Sequence, residues 1–160
     1  MALVIRPAEP QDAALIHGLV AALADYERLG HEMVATPEDL ARDLFASPAR
    51  IFCDIAERDG EAAGFALWFY SYSTFQGRYG LYLEDLYVLP KARRAGVGRA
   101  LLQHLARRCA AERLGRLSWS VLNWNQPAID FYETLGARLT REWTGCHVEG
   151  AALAALGAEP

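Results

Sequence analysis

Cysteine is scarce in this chain, and its three copies, Cys53, Cys109 and Cys146, follow no paired motif. An odd, scattered count without metal spacing argues against a disulfide framework and for a reducing compartment. Cys53 and Cys109 read as small buried hydrophobes. The histidines His17, His31, His104 and His147 form no ligand pattern, so no metal is expected. No stretch nears the roughly 18 apolar residues that span a bilayer. The opening Met-Ala-Leu-Val-Ile-Arg-Pro is followed by no apolar core of the signal-peptide kind. A cytoplasmic protein without a membrane partner is therefore expected. Repeats, low-complexity tracts and linkers are also missing, and 160 residues suit one domain, 1–160, better than two. An excess of positive charge is missing too. The formal net charge is -4, which speaks against general nucleic-acid binding, where phosphates must be neutralised. It suits a cationic small substrate, though weakly.

What is present is an ordinary globular balance, 52% apolar and 22% charged. Residues 3–6 form a short β-prone run stopped by Pro7. Residues 11–29 carry Leu15, Leu19, Ala22, Leu23 and Tyr26 at helical spacing. Thr36-Pro37-Glu38-Asp39 is a helix start, and that helix should end near Ser47-Pro48. Strand-like runs at 51–57 and 62–72 flank Asp59-Gly60, a hairpin signal. A third strand covers 79–89. Residues 97–114 form a helix with Leu101, Leu102, Leu105 and Cys109 inward, and Gly115 should end it. A strand at 117–122 and a helix at 125–135 follow, the latter stopped by Gly136. Residues 137–156 suggest two more strands. The order is α/β without regular alternation. Three successive strands imply antiparallel pairing in a mixed, mainly antiparallel sheet flanked by helices. The strand-helix-strand unit over 79–122 implies a parallel crossover.

Between the third strand and the 97–114 helix lies Arg93-Arg94-Ala95-Gly96-Val97-Gly98. Glycines here let the backbone approach a ligand, and a new helix offers unsatisfied N–H groups to an anion. Lys91, Arg93, Arg94 and Arg99 add positive charge, so a pyrophosphate fits. The segment is neither a Walker loop, lacking Gly-Lys-Ser/Thr, nor the three-glycine dinucleotide fingerprint. Taken alone, Arg-x-x-Gly-x-Gly also describes a tight turn with solvated arginines.

Leu83-Glu84-Asp85-Leu86-Tyr87-Val88 followed by Arg93-x-x-Gly96-x-Gly98 resembles the coenzyme A motif of the GCN5-related N-acetyltransferase (GNAT) superfamily. Asn123-Trp124-Asn125-Gln126-Pro127-Ala128-Ile129-Asp130-Phe131-Tyr132, then Leu135-Gly136-Ala137, resembles the other half of that cofactor site, in the right order and at the right separation. Tyr82-Leu83-Glu84-Asp85, the Tyr72-Ser73-Thr74-Phe75-Gln76-Gly77-Arg78 loop and Tyr26-Glu27 are similar to the diamine acetyltransferases, which act on spermidine, spermine or thialysine. The Ser-Thr-aromatic loop looks more like the thialysine branch, since the polyamine branch carries an aspartate where this chain has Ser73.

The resemblance implies the acyl-CoA N-acyltransferase fold, an acetyl-CoA co-substrate, a small amine acceptor and a homodimer, with which the apolar 151–156 segment is compatible. It implies that the backbone of Leu86 and Val88, flanking Tyr87, holds the pantetheine arm like an added strand. It places the pyrophosphate on Arg93, Arg94, Ala95, Gly96, Val97, Gly98 and Arg99, and Asn125 at the coenzyme. Asn125 is equally a good helix N-cap.

Acetyl transfer to an amine poses two proton problems. An alkylamine of pKa near 10.4 is ammonium at pH 7, and deprotonating it costs roughly 4.6 kcal/mol. The departing thiolate needs a proton as well. Glu84 is the candidate base, directly or through water, and a partner for a cationic amine. The resemblance puts Tyr132 beside the sulfur as general acid, a phenol protonated at pH 7. Tyr26 and Glu27 are candidate substrate contacts, Glu27 for a far ammonium. In a regular strand Glu84 and Asp85 face opposite ways, so only a bulge would bring both into one cleft. Asp85 is then as much a structural hydrogen-bonding residue as a substrate ligand. The competing readings are an acetyltransferase for another amine (an amino acid, an aminoglycoside or a protein N-terminus) and a non-catalytic coenzyme A-binding domain. A binding module needs neither Tyr132 nor Glu84.

Overall fold

The computed structural model describes residues 2–158. The chain forms two compact units, one ending at Leu122 and the other beginning at Asn123. In the first unit, β1 (Leu3–Pro7) leads through a short 3-10 turn to α1 (Ala13–Tyr26) and α2 (Pro37–Leu44). Then come β2 (Phe52–Arg58), β3 (Glu61–Ser73), β4 (Arg78–Val88), α3 (Val97–Ala111) and β5 (Leu117–Trp119). The second unit holds α4 (Gln126–Thr134) and α5 (Gly150–Ala158). The five strands lie in the order in which they occur in the chain. β1 to β4 pair antiparallel, and β4 pairs parallel to β5.

Local chemistry explains the main boundaries. Asp59 and Gly60 both take positive φ, 54° and 80°, as a two-residue turn of the primed kind requires. At the start of α2 the Thr36 hydroxyl accepts from the Asp39 amide at 3.2 Å, and the Asp39 carboxylate accepts from the Thr36 amide at 2.9 Å. This is the reciprocal capping box foreshadowed by the Thr-Pro-Glu-Asp run. Arg6 on β1 donates to Asp12 at 2.7 Å and Glu57 at 2.8 Å, tying the edge strand to the entry of α1.

Alternation along the strands divides the core in two. Ile55, Phe65, Leu67 and Tyr87 pack with Ile16, Leu19 and Leu44 on the face covered by α1 and α2. On the other face, Arg108 of α3 lays its guanidinium 4.9 Å above the Trp68 ring, and α3 turns Val97, Leu101, Leu102 and Leu105 inward. Each large side chain so buried contributes about 1.5–3 kcal/mol.

Three boundaries differ from the sequence expectation. Helix α3 ends at Ala111, and the left-handed residue after it is Arg113 at φ 57° rather than Gly115. Gly115 instead donates its amide to the Tyr79 carbonyl at 2.8 Å, where a Cβ would run into the Gln76 side chain. Strand β5 stops at Trp119, three residues short of the expected end. The two strands expected over 137–156 are absent among the described residues. An exposed helix, α5, occupies Gly150–Ala158 instead. Its Ala-Ala-Leu-Ala-Ala-Leu core consists of strong helix formers without a β-branched residue.

Candidate active site

The stretch of β4 around Glu84 is shaped by a bulge. Leu83 pairs with Trp68, but Asp85 pairs with Leu67, so Glu84 is the residue that β3 does not match. The extra residue puts Asp85 on the Leu67 face, which α1 covers. The alternation that would separate Glu84 from Asp85 is thereby broken. Burial pushes the Asp85 carboxyl up to about 7, helped by the negative charges of Glu84 and Glu27. Burial also raises Glu27, which caps the C-terminal end of α1 directly after Tyr26. Glu27, Glu84 and Asp85 thus form one acidic cluster, open at Glu84 and shielded at Asp85. Such a place favours a cation and holds one carboxyl ready to exchange a proton near neutrality.

Beside the cluster, β4 offers a free edge. Only Leu81, Tyr82 and Leu83 pair with β5, at Leu117, Ser118 and Trp119. From Glu84 through Leu86, Tyr87 and Val88, β4 keeps its partner β3 on one side and has no strand partner on the other among the described residues. An extended chain carrying amide groups, as a pantetheine arm does, can complete that ladder.

The edge leads into the basic turn. Arg94 and Gly96 are left-handed, at φ 63° and 78°, and Gly96 is the N-cap of α3. Ala95 and Gly96 are exposed, Val97 is buried as the first anchor of the helix, and Gly98 is half-buried. The first amides of α3 are therefore presented at an open turn, where a pyrophosphate can take them. The four basic residues do not share this task equally. Lys91 pairs with Glu61 at 2.6 Å. Arg93 donates from Nε to the Val88 carbonyl at 3.1 Å, and its guanidinium sits over two tyrosine rings, 5.2 Å from Tyr26 and 5.4 Å from Tyr87. All four side chains are exposed, and Arg94 and Arg99 flank the open turn.

In the second unit, Asn125 is buried and caps α4, its Oδ1 accepting from the Ala128 amide at 3.4 Å. Tyr132, seven residues on and so nearly on the same helical face, is half-buried, its ring 5.5 Å from that of Phe131. Among the described residues no group of His, Cys, Asp and Glu could hold a metal ion, and no helix is long and apolar enough to cross a membrane. Of the site residues sought in the sequence, the fold gathers Glu27, Glu84 and Asp85 into one cluster and links Tyr26 to Arg93. The aromatic seat of Arg93, with Tyr87 as its second wall, was not visible in the sequence.

Residues 17–137 match the model of the acetyltransferase (GNAT) family. The chain is 36% identical to the thialysine N-epsilon-acetyltransferase of Caenorhabditis elegans, over 90% of each protein. It is 32% identical to the L-ornithine N5-acetyltransferase of Arabidopsis thaliana, over 95% of this chain and 86% of that protein. Among solved structures it resembles an integron cassette protein from the mobile metagenome of Vibrio cholerae, with a TM-score of 0.83, 26% identity and 99% of each chain covered. A five-stranded mixed sheet, a glycine turn capping α3 and this likeness over nearly the whole length agree: the chain belongs to the acetyltransferase (GNAT) family and is an acetyl-CoA-dependent amine N-acetyltransferase.

Proposed function

We propose that the chain acetylates the side-chain amine of a small amino acid of the thialysine or ornithine kind. The observation that carries this reading is the acidic cluster of Glu27, Glu84 and Asp85 beside the free edge of β4. Such an acceptor brings two ammonium groups. The cluster supplies a pair of carboxylates at the reacting end and Glu27 for the far one. The names of the relatives from C. elegans and A. thaliana support the same class. Ser73, where the polyamine branch has aspartate, ranks spermidine and spermine below it.

The coenzyme donates the acetyl group. Its arm lies along Leu86, Tyr87 and Val88, and its pyrophosphate on the amides from Ala95 to Arg99, with Arg94 and Arg99 as counter-charges. Glu84 and Glu27 orient the ammonium substrate. Asp85 takes its proton, because a carboxyl near pKa 7 accepts one far more readily than an ordinary carboxylate does. The freed amine bonds to the acetyl carbon as the carbon–sulfur bond breaks, the Tyr132 phenol protonates the sulfur, and the excess proton left on the new amide nitrogen returns to the phenolate. Asn125 holds the start of the tyrosine's helix and serves the coenzyme from the same face. We read the protein as a single working domain over 1–160. We also read it as a cytoplasmic homodimer that binds neither nucleic acid nor membrane, with Leu153 and Leu156 of α5 exposed for a second copy.

A coenzyme A release assay across thialysine, lysine, ornithine, putrescine, spermidine and spermine tests the substrate class. Thialysine or ornithine should give the highest kcat/KM. A value for spermine well above both would reverse the assignment.

A further inference from the structure

We propose that Arg93 is a positioning residue that makes amine binding and coenzyme binding cooperative. This rests on the reading above, in which the turn after β4 takes the pyrophosphate and the end of α1 meets the amine. Arg93 is the first residue of that turn, just before the left-handed Arg94. Its side chain reaches two other elements, α1 and β4. Nε donates to the carbonyl of Val88, the last residue of β4, at 3.1 Å. The guanidinium lies 5.2 Å from the ring of Tyr26, the last residue of α1, and 5.4 Å from the ring of Tyr87. Both are within cation–π range, and the two rings stand 6.4 Å apart. One planar cation thus joins the end of α1, the free edge of β4 and the phosphate turn.

The geometry has a consequence for energetics. Glu27 follows Tyr26 directly, so an amine that fixes Glu27 restrains the end of α1 from which the Tyr26 ring projects. The ordered ring holds the guanidinium, and the guanidinium holds the backbone at the start of the turn. A turn already ordered costs less to close on a pyrophosphate, and the reverse sequence costs less by the same factor, since linkage is reciprocal. Arg93 can serve this purpose only because it is not spent on the phosphate, a task left to Arg94, Arg99 and the helix amides. Lysine would keep the charge, but it has no planar fork to bond the Val88 carbonyl while stacking on two rings.

Calorimetry on the full chain tests this, titrating coenzyme A with and without saturating thialysine, then with and without saturating L-ornithine. Coenzyme A carries no acetyl group, so no turnover intervenes. In the parent, the better amine should tighten coenzyme A binding at least about fivefold, the lower end of typical coupling. In Arg93→Met and Arg93→Lys that factor should fall to within about twofold of unity. Tyr26→Phe keeps the ring and should keep the factor, whereas Tyr26→Leu should lose it, so the test survives a variant at position 93 that does not fold. An Arg93→Lys protein with the parent's factor would overturn the proposal, because charge alone would then suffice. So would an Arg93→Met protein that binds coenzyme A more weakly at an unchanged factor, which is the behaviour of a plain phosphate contact. A parent that binds both ligands with a factor of one defeats the coupling alone. A parent that binds no coenzyme A defeats the underlying reading as well.

Discussion

Glu84 and Asp85 are neighbours twice over: β4 bulges at Glu84, and the Glu84 charge then helps hold the Asp85 carboxyl at about 7. The first prediction follows from that pair. An unfolded aspartate ionises near pH 4, and folded Asp85 does so at about 7. Between those values the folded state holds a proton that the unfolded state has lost. Stability therefore falls as pH rises through this window, and the full penalty, up to about 4 kcal/mol, is present above it. Asp85→Asn should raise the melting temperature at pH 8 and change it little at pH 4. Its kcat/KM should drop by about 10²- to 10⁴-fold, and the rise with pH near neutrality expected of the parent should be lost. Paired melting curves and a pH–rate profile check both halves. A melting temperature lowered at pH 8 would contradict the assignment.

Glu27 gives a different signature. If it pairs with the far ammonium, Glu27→Gln should raise KM for thialysine or ornithine by about tenfold, the worth of one charge-assisted hydrogen bond. The kcat should stay near the parent's, because the contact is made equally in ground and transition states. Steady-state kinetics with a simple monoamine as control should show no change in KM.

Gly96 combines φ 78° with open space where a Cβ would sit. A Cβ at Gly96 therefore meets no protein atom, but Gly96→Val strains the backbone by about 1–2 kcal/mol and sets a branched side chain beside the first amides of α3. Coenzyme A affinity should fall at least tenfold, with a modest loss of stability. Gly96→Asn, which tolerates the left-handed region, should fold as the parent does. Calorimetric titration of folded Gly96→Val at unchanged affinity would detach the pyrophosphate from this turn.

Tyr132→Phe removes one hydroxyl and keeps the ring against Phe131. A lost general acid should lower kcat by about 10²- to 10⁴-fold while coenzyme binding barely moves. A purely packing tyrosine would instead show near-normal turnover and a small drop in melting temperature. A kcat within about threefold of the parent would assign the sulfur's proton to water or to the substrate amine.

Much of the first unit could be read in advance, because its signals are local. Asp59-Gly60, Thr36-Pro37-Glu38-Asp39 and the inward Leu101, Leu105 and Cys109 each carry their own geometry. The glycine turn that caps α3 was legible for the same reason. The ranking of Glu84 over Asp85 was not settled by the residues, since a bulge is a mismatch between two strands and leaves no mark on one. The distinct fates of Lys91 and Arg93 were hidden likewise. Their partners, Glu61 and the Tyr26–Tyr87 rings, are distant in sequence or silent in pattern. At the C-terminus, strand expectations yielded to α5, where alanine and leucine propensity prevails.

The incomplete pairing of β4 has a further consequence. A strand with one side unoccupied is a template for any extended polypeptide, and natural sheets guard such edges with lysines, prolines or covering loops. Here the stretch from Glu84 to Val88 contributes only Glu84 and Asp85 as gatekeepers, both acidic and both at one end. On the proposed reading, in which the pantetheine arm lies along this edge, the coenzyme doubles as the missing guard. Coenzyme-free protein should then self-associate more readily than the coenzyme-bound form.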